Sequence, residues 1–347
     1  MLNLTDINVN DYERVVRIED DTTGLDGIIA LHNTNLGPGL GGTRYWNYGS
    51  EADMLTDVLR LSRGMTYKNA ICGNDFGGGK GVLNATNVTD KNEMLKSYAE
   101  AINQLNGTYI SAGDVGISTE DLVLISQHTD HVGGYTIDSS APTAEGVYHS
   151  IRAALSVMHD GADQATLRGV SIGIVGLGKV GSKLLMLALA DRAIVTATDA
   201  SRDTVRGMHV ELRKHPGCRF NSARDDNLIK QRQLVYSPCA LGNMINDDTK
   251  EHFRTAVICG AANNQLQDDD TSQWLVDNKI LYVPDYLANS GGVIGIADEI
   301  ANDISNTPAR IGEIYQKAYD IVAESWESKV GAQLVANSVA EARFTSN

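Results

Sequence analysis

Long apolar runs are absent from this sequence. It has no stretch of about 18 consecutive apolar residues, the length that a membrane-spanning helix requires. The opening segment, MLNLTDINVNDYERV, carries acidic side chains and has no apolar centre. We therefore expect neither a membrane segment nor a secretory signal peptide, and we expect a cytoplasmic protein.

Cysteine is scarce, and its spacing excludes several kinds of site. The four cysteines are Cys72, Cys218, Cys239 and Cys259, and no two of them form a CxxC pair. This spacing suits no zinc site, and the eight histidines add no ligand pattern to it. We expect no metal site, and we interpret Cys239 and Cys259, which lie in apolar runs, as buried free thiols.

Basic side chains are the minority among the charges. The 29 Lys and Arg residues face 44 Asp and Glu residues, a formal net charge of -15. A surface of this sign repels phosphate backbones, so we expect no nucleic-acid partner. The 347 residues, of which 42% are hydrophobic, are enough for two globular domains.

The first part of the chain, roughly to residue 135, mixes strand and helix patterns. Strands are predicted at 12–18 and 27–32, followed by a glycine-rich loop at 36–43. Apolar residues at helical spacing predict helices at 51–64 and 91–105.

The second part alternates strands with helices. A stretch containing Gly, Ser and Pro at 133–142 is the candidate hinge, and Thr143 is the predicted cap of the helix that follows. The predicted elements are strands at 170–175, 193–198, 234–236, 256–259 and 280–283, a helix at 182–191, and two helices within 308–344. This alternation predicts an α/β fold with a doubly wound parallel sheet.

A glycine motif between two of these strands indicates a dinucleotide site. The loop reads Gly176-Leu177-Gly178-Lys179-Val180-Gly181. In such a motif the glycines permit a tight turn, close approach of a pyrophosphate, and close packing of the helix. Asp199 ends the next strand, where a carboxylate favours NAD over NADP, although Arg202 nearby weakens that argument. The alternative is that these glycines serve packing alone.

Three further residues in the first part of the chain are candidates for a catalytic or binding role. Lys68 lies in GMTYKNA, Lys80 follows the glycine run of DFGGGKGV, and Asp114 lies in SAGDVGIS. The glycine run lets backbone crowd a ligand, but it is not a P-loop, because Gly81 follows the lysine. Taken alone, these local sequences predict that the two lysines are surface residues and that Asp114 caps a helix.

Several segments occur in a fixed order that matches a known family. They are LGPGLGGTRYW, LRLSRGMTYKNA, FGGGKGV, DVG, PTAEGVY, GLGKVG, SPCALG, CGAANNQL and PDYLANSGGVIGIADE. Together they resemble the leucine, valine and phenylalanine dehydrogenase branch of the Glu/Leu/Phe/Val dehydrogenase family, with leucine dehydrogenase nearest. The resemblance covers roughly residues 10–300.

The resemblance implies an architecture. An N-terminal α/β domain for substrate binding and oligomerisation is expected over 1–135, joined by a C-terminal helix at about 325–347. A Rossmann-type NAD-binding domain is expected over 140–320, with a cleft between the two domains. A homodimer or a higher homo-oligomer is expected as well.

The resemblance also implies NAD-dependent, reversible oxidative deamination of an apolar L-amino acid. It assigns binding of the substrate carboxylate to Lys68, activation of the attacking water to Lys80, and proton exchange with the amino group to Asp114. The substrate positions that it implies are Leu40, Gly41, Met65, Ala112, Asn263 and Leu287. The cofactor positions, besides the glycine motif and Asp199, are Thr143, Cys239, Ala240, Leu241, Asn263 and Asn289.

Two of these positions favour different substrates. Alanine at position 112 is typical of relatives that act on aliphatic substrates, whereas leucine at position 287 is typical of those that act on phenylalanine. We favour leucine, isoleucine and valine, with phenylalanine as the alternative. Asn243, where relatives have glycine, is a departure from the pattern.

Two other functions remain as alternatives. A hydroxy-acid oxidoreductase similar to shikimate dehydrogenase also combines a Rossmann domain with a catalytic lysine and aspartate, but it lacks the GGTR, GMTYK and GAANN segments. A non-catalytic NAD-binding protein is favoured only by loss of Lys68, Lys80 or Asp114, and all three are present.

Overall fold

The computed structural model describes residues 1–159, 166–213, 219–222 and 228–345, so Cys218 lies outside the described residues. Contacts between Cα atoms divide the chain into two compact units. The first unit comprises Met1–Asp138, Gly295–Ser305 and Val339–Asn347, and the second comprises Ser139–Ile294 and Asn306–Ser338. The boundary at 138/139 falls inside the candidate hinge.

The first unit contains a mixed six-stranded sheet. Its strands are β1 (Asn3–Asp6), β2 (Arg14–Asp20), β3 (Leu25–Asn33), β4 (Gly39–Trp46), β5 (Gly77–Asn84) and β6 (Tyr109–Gly113). They lie in the order β1-β2-β3-β5-β4-β6. The β4 strand runs parallel to both β5 and β6, and the remaining pairs are antiparallel. The β5 strand is therefore interior, between β3 and β4.

Three helices of the first unit pack on this sheet or beside it. They are α1 (Glu51–Cys72), α2 (Lys91–Gln104) and α3 (Thr119–Ser126). Met54 of α1 packs with Ile28 and Val82 in one apolar cluster. Tyr98 of α2 packs with Leu83 and other strand residues in a second cluster. Val82 and Leu83 are neighbours on β5 and therefore point to opposite faces of the sheet. The two clusters thus lie on opposite faces, and both faces of the sheet are buried.

The prediction of a glycine-rich loop at 36–43 is wrong from residue 39 onward, because residues 39–46 form β4. The glycines are needed for close packing between elements. A methyl group built on Gly41 would lie 1.8 Å from the Gly79 carbonyl oxygen, and one on Gly78 would lie 2.0 Å from Thr66 Oγ1 of α1. The Gly77–Gly79 run thus packs closely against β4 and α1, whereas the sequence suggested that it approaches a ligand.

The second unit contains a six-stranded sheet in which every pair of strands is parallel. Its strands are β7 (Ser171–Val175), β8 (Ile194–Thr198), β9 (Arg219–Ser222), β10 (Val235–Pro238), β11 (Val257–Ile258) and β12 (Leu281–Tyr282). Their order is β12-β11-β10-β7-β8-β9. Strand order reverses beside β7, as in a doubly wound fold, so the predicted fold class is confirmed.

Helices connect and follow these strands. They are α4 (Ser140–Met158), α5 (Lys179–Ala190), α6 (Arg202–Leu212), α7 (Asp269–Asp277), α8 (Asp285–Ala288), α9 (Gly291–Ile300), α10 (Thr307–Gly312), α11 (Ile314–Ser328) and α12 (Ala332–Thr345). Among the described residues, no helix combines the length and apolarity needed to cross a bilayer.

Two predicted helix boundaries are wrong. The α4 helix begins at Ser140, so Thr143 lies in its first turn and donates to the Ser139 carbonyl at 2.7 Å instead of capping the helix. The C-terminal stretch forms α10, α11 and α12, where two helices were predicted. Lys329 ends α11 in a left-handed conformation with φ of 60°, which breaks the helical pattern between α11 and α12.

Candidate functional site

The first unit carries a candidate site built on a lysine–aspartate pair. Lys80 lies on the interior strand β5, where it pairs with Ala30 of β3, and only 5% of the residue is exposed. Asp114 directly follows β6. Although β4 separates these two strands, Lys80 Nζ donates to Asp114 Oδ2 in an ion pair between a buried lysine and a half-buried carboxylate. Burial of a charged lysine requires a partner of this kind.

Asp114 is held by more than this lysine. Its Oδ1 accepts a hydrogen bond from the Val115 amide at 2.7 Å, and Arg44 Nη2 lies 3.5 Å from Oδ2. Burial raises the pKa of Asp114, but the positive charges of Lys80 and Arg44, with these hydrogen bonds, outweigh it and lower that pKa to about 2. A methyl group on Gly42 would lie 3.1 Å from Asp114 Cβ, so this glycine makes room for the carboxylate.

Lys68 lies near the C-terminal end of α1 and is half-buried. The last part of α12 packs on this end of α1, within the first unit. The Tyr67 hydroxyl donates to Glu341 at 2.6 Å, and Arg343 Nη1 donates to the Ala70 carbonyl at 2.9 Å. A guanidinium at the carbonyl end of a helix is favourable, so these contacts fix the turn that carries Lys68.

The predicted substrate positions of the first unit lie on β4, β6 and α1. Leu40 is 1% exposed and Ala112 is 3% exposed. A methyl group on Gly41 would lie 3.0 Å from Met65 Cγ, so these two positions face each other closely. Met65 and Lys68 are three residues apart on α1 and therefore share a face of the helix.

Ile296 lies beside Ala112, although the sequence did not single it out. A methyl group built on Gly134 would lie 3.2 Å from Ile296 Cγ1 and 3.9 Å from Ala112 Cβ. The sequence signal available was the apolar segment GGVIGIADE, which belongs to the matched pattern. Its place next to Gly134, which also lies near Ala112, depends on the return of the chain to the first unit at Gly295–Ser305, and periodicity alone does not reveal that return.

The second unit carries a separate candidate site, the glycine motif between β7 and α5. Gly176 has a φ of 98°, a value that favours glycine, and a methyl group on it would lie 2.7 Å from Ala240 Cβ. A methyl group on Gly181 would lie 1.9 Å from the Gly176 carbonyl oxygen and 3.2 Å from Cys239 Cβ. The structure thus brings the motif against Cys239 and Ala240; their position beside the cofactor stays a prediction.

Gly178 differs from the other two glycines of the motif. It is the N-cap of α5, it is exposed, and no described heavy atom lies within 4 Å of a methyl group built on it. No side chain in the described part of the chain caps this end, and exposed Lys179 and half-buried Val180 form the first helical turn. Open backbone N–H groups at a helix N-terminus fit a dinucleotide pyrophosphate.

Asp199 follows β8 and holds the glycine motif from the side. Its Oδ2 accepts a hydrogen bond from the Leu177 amide at 2.7 Å, and its Oδ1 accepts one from the Ser201 amide at 2.8 Å. The carboxylate is half-buried, and Arg202 begins α6 in an exposed position. A carboxylate at this place fits hydrogen bonds from a ribose and repels a 2′-phosphate.

Two asparagines meet at the C-terminal side of this sheet. Asn289 is 6% exposed, and its Nδ2 donates to Asn263 Oδ1 at 2.8 Å and to the Ala261 carbonyl at 3.1 Å. Leu241 is 74% exposed on the loop after β10. Asn243 has a φ of 55°, a conformation that glycine and asparagine both adopt, which explains how it replaces the usual glycine.

The two remaining predicted positions lie on α4 and α8. Thr143 Oγ1 lies 2.6 Å from a methyl group built on Gly292, so α4 and α9 approach closely there. Leu287 is fully buried within α8. Of the three described cysteines, all are free; Cys72 and Cys259 are buried, whereas Cys239 is half-buried.

Comparisons with known proteins decide the family. The model of the Glu/Leu/Phe/Val dehydrogenase dimerisation domain matches residues 11–131, and that of the Glutamate/Leucine/Phenylalanine/Valine dehydrogenases matches residues 205–342. The chain belongs to the Glu/Leu/Phe/Val dehydrogenase family. It is therefore an oxidoreductase of the amino-acid dehydrogenase type, and the predicted nicotinamide dinucleotide cofactor is confirmed.

Three relatives show the range within this family. A valine dehydrogenase of Streptomyces coelicolor is 41% identical, with 96% of this chain and 92% of that protein covered. A leucine dehydrogenase of Bacillus subtilis is 38% identical, with the same coverage. The crystal structure of L-tryptophan dehydrogenase from Nostoc punctiforme is 31% identical, has a TM-score of 0.83, and is covered over 96% of both chains. The family is thus fixed, while the named substrates of its members differ.

Proposed function

We propose that this chain catalyses NAD-dependent, reversible oxidative deamination of branched-chain aliphatic L-amino acids to 2-oxo acids and ammonia. The observation that carries the proposal is the ion pair between buried Lys80 and half-buried Asp114. An amine and a carboxylate in contact supply the proton acceptor and the proton donor that conversion of an amine to a ketone requires. The dimerisation domain in the matched family also supports a homodimer or a higher homo-oligomer.

The proposed reaction divides its proton transfers between these two groups. NAD, when bound, is the acceptor of the hydride from Cα of the substrate. Lys68 binds the substrate carboxylate, and Lys80 takes a proton from the water that adds to the resulting iminium carbon. Asp114 takes a proton from the substrate ammonium before hydride transfer and later returns it to the nitrogen of the carbinolamine. The C–N bond then breaks and ammonia leaves, while the C=O bond forms as the hydroxyl proton of the carbinolamine passes to water.

An aliphatic substrate is supported by the side chains near β4 and β6. Leu40, Met65 and Ala112 are apolar, and Ile296 adds a branched side chain beside Ala112. Branched bulk at that place leaves less room for an aromatic ring. Leu287, which resembles the leucine of phenylalanine-specific relatives, is the one feature that supports phenylalanine instead.

A panel of 2-oxo acids tests this proposal. With NADH and ammonia, we expect turnover of 4-methyl-2-oxopentanoate, 3-methyl-2-oxopentanoate and 3-methyl-2-oxobutanoate, measured as loss of NADH absorbance. One methylene group changes binding by about 1–3 kcal/mol, so these three are expected to differ by about 10–200-fold in kcat/KM at most. Phenylpyruvate is expected to be slower, and 2-oxoglutarate slowest, since an apolar pocket does not pair its second carboxylate.

Omission of ammonia is the control for this panel. NADH oxidation that persists without ammonia contradicts an amino-acid dehydrogenase and favours a hydroxy-acid oxidoreductase. Faster turnover of phenylpyruvate than of all three branched oxo acids contradicts the aliphatic preference alone.

Asp199 is the proposed determinant of NAD over NADP. We expect Asp199→Ser to raise the ratio of kcat/KM with NADPH to that with NADH by about 10–100-fold, because a charge-assisted hydrogen bond of about 1.5–3 kcal/mol to the ribose and the repulsion of a 2′-phosphate are both lost. Asp203→Ser on α6, where the carboxylate is exposed and pairs only with Arg206 among the described side chains, is the matched control. A wild-type preference for NADPH contradicts the assignment.

A further inference from the structure

Arg44 lies between two carboxylates of the first unit. It is on β4, opposite Val82 of β5, and 23% of its side chain is exposed. Its Nη1 lies 2.9 Å from Asp57 Oδ2 and its Nη2 lies 3.5 Å from Asp114 Oδ2. Arg44 Nε is buried and has no hydrogen-bond partner among the described residues. The guanidinium is therefore held at this place by the two carboxylates.

Asp57 is itself held from two sides. The Tyr48 hydroxyl donates to Asp57 Oδ2 at 2.8 Å, and Arg60 Nη2 lies 3.2 Å from Oδ1. Only 17% of the Asp57 side chain is exposed. Asp57 is thus a fixed counter-ion on α1 that shares the charge of Arg44 with Asp114.

The groups that face Asp114 come from each neighbouring element. Lys80 faces it from β5 and Arg44 from β4, and the buried Tyr109 on its own strand β6 feels its charge. Asp57, through Arg44, is the nearest further anion of this network. Without Arg44, Asp114 would keep one cation in place of two while still half-buried, and its ionised form would be less stable.

We propose that Arg44 is a positioning residue that holds the Asp114 carboxylate in line with Lys80 and lowers its proton affinity, and that Asp57 sets how much of the Arg44 charge reaches it. The inference rests on the roles of Lys80 and Asp114 in the proposed function. A carboxylate that exchanges a proton with the substrate amine must be held in place and must release the proton again, and Arg44 serves both needs without contact to the reacting atoms. Arginine suits the task because its planar fork spans two carboxylates.

Titration of Asp114 tests this proposal independently of turnover. In protein labelled with ¹³C at aspartate carboxyl carbons, the Asp114 signal is assigned by its loss in Asp114→Asn. Removal of an adjacent guanidinium is expected to raise the pKa of Asp114 by about 1–3 units in Arg44→Met. With an initial value of about 2, the transition then falls between about pH 3 and pH 5. Asp57→Asn removes an anion and is expected to shift the midpoint in the opposite direction, to no higher than in the wild type.

Turnover supplies the second measurement. We expect Arg44→Met to lower kcat by about 10-fold or more with little change in KM for the amino acid, and Arg44→Lys, which keeps the charge, to recover part of that loss. Arg60→Met, which removes the other guanidinium on Asp57, is the matched control and is expected to leave both the titration and kcat close to wild type.

The outcomes separate this proposal from the proposed function. An Asp114 midpoint that is the same in Arg44→Met as in the wild type overturns the role of Arg44, whatever the enzyme activity. A midpoint raised by Asp57→Asn overturns the role of Asp57, and this variant still tests the network if Arg44→Met does not fold. Absence of ammonia-dependent turnover in the wild type refutes the proposed function, while the titration still reports on Arg44.

Discussion

Lys80→Ala is expected to lower kcat for oxidative deamination by about 10²–10⁴-fold, the usual contribution of a positioned acid–base group. The change removes the proton acceptor and leaves the Asp114 carboxylate with Arg44 as its cationic partner. Because Lys68 is untouched, we expect a much smaller change in KM for the amino acid. Stopped-flow or steady-state measurement of NADH formation gives both constants.

A lysine outside the site controls for loss of charge. Lys96→Ala removes an ammonium that pairs with Glu93 on the surface of α2, and we expect turnover to stay within about twofold of wild type. Added methylamine is expected to restore part of the activity of Lys80→Ala, since a small amine fits the space that the side chain leaves. Near-normal kcat in Lys80→Ala would contradict the assignment.

Gly181→Ala and Gly178→Ala are expected to fail in different ways, although both change the same motif. A methyl group on Gly181 would lie 1.9 Å from the Gly176 carbonyl oxygen, which is backbone and cannot move aside cheaply. We expect Gly181→Ala to lower the free energy of unfolding by about 1–3 kcal/mol or more, as overpacking does, and to lose cofactor binding with it.

Gly178→Ala has no such clash, because the space around it is open. We expect its thermal midpoint to fall little, since alanine for glycine at an N-cap costs about 1 kcal/mol or less, while the Kd of NADH rises about 10-fold or more as the methyl group meets the pyrophosphate. Calorimetric melting and NADH fluorescence titration measure the two effects. Equal NADH affinity in Gly178→Ala and the wild type would show that the pyrophosphate does not approach this glycine.

The second unit was largely predictable from its sequence. Apolar β-branched runs, the glycine motif and the acid after the next strand are local signals, and β7, α5, β8 and Asp199 lie close to where these signals place them. The β9 strand was missed because RFNS carries little apolar character. Helix ends were less predictable, since Thr143 is a good capping residue by type while Ser139 takes the N-cap position.

The first unit was harder to predict for a physical reason. Glycine has a low strand propensity, so the Gly-rich segment that contains the start of β4 was predicted as a loop, and no strand was predicted at β5. Their extended state is stabilised by neighbours that are distant in sequence, such as Thr66 of α1 against Gly78. Arg44 escaped notice for the same reason: its partners Asp57 and Asp114 lie 13 and 70 residues away along the chain. The family resemblance supplied Lys68, Lys80 and Asp114, which spacing alone left ambiguous.

Leu40 lies on the interior strand β4 and Ala112 on the edge strand β6 of the first sheet, yet only 1% and 3% of these residues are exposed. Any engineering of substrate range at these positions therefore alters the core that stabilises the unit, and gains in a new specificity are expected to come with losses in stability. Asp199 is half-buried and lies outside the apolar core, so its replacement costs the hydrogen bonds to the Leu177 and Ser201 amides but no core packing. Cofactor preference should thus be easier to evolve in this enzyme than substrate preference.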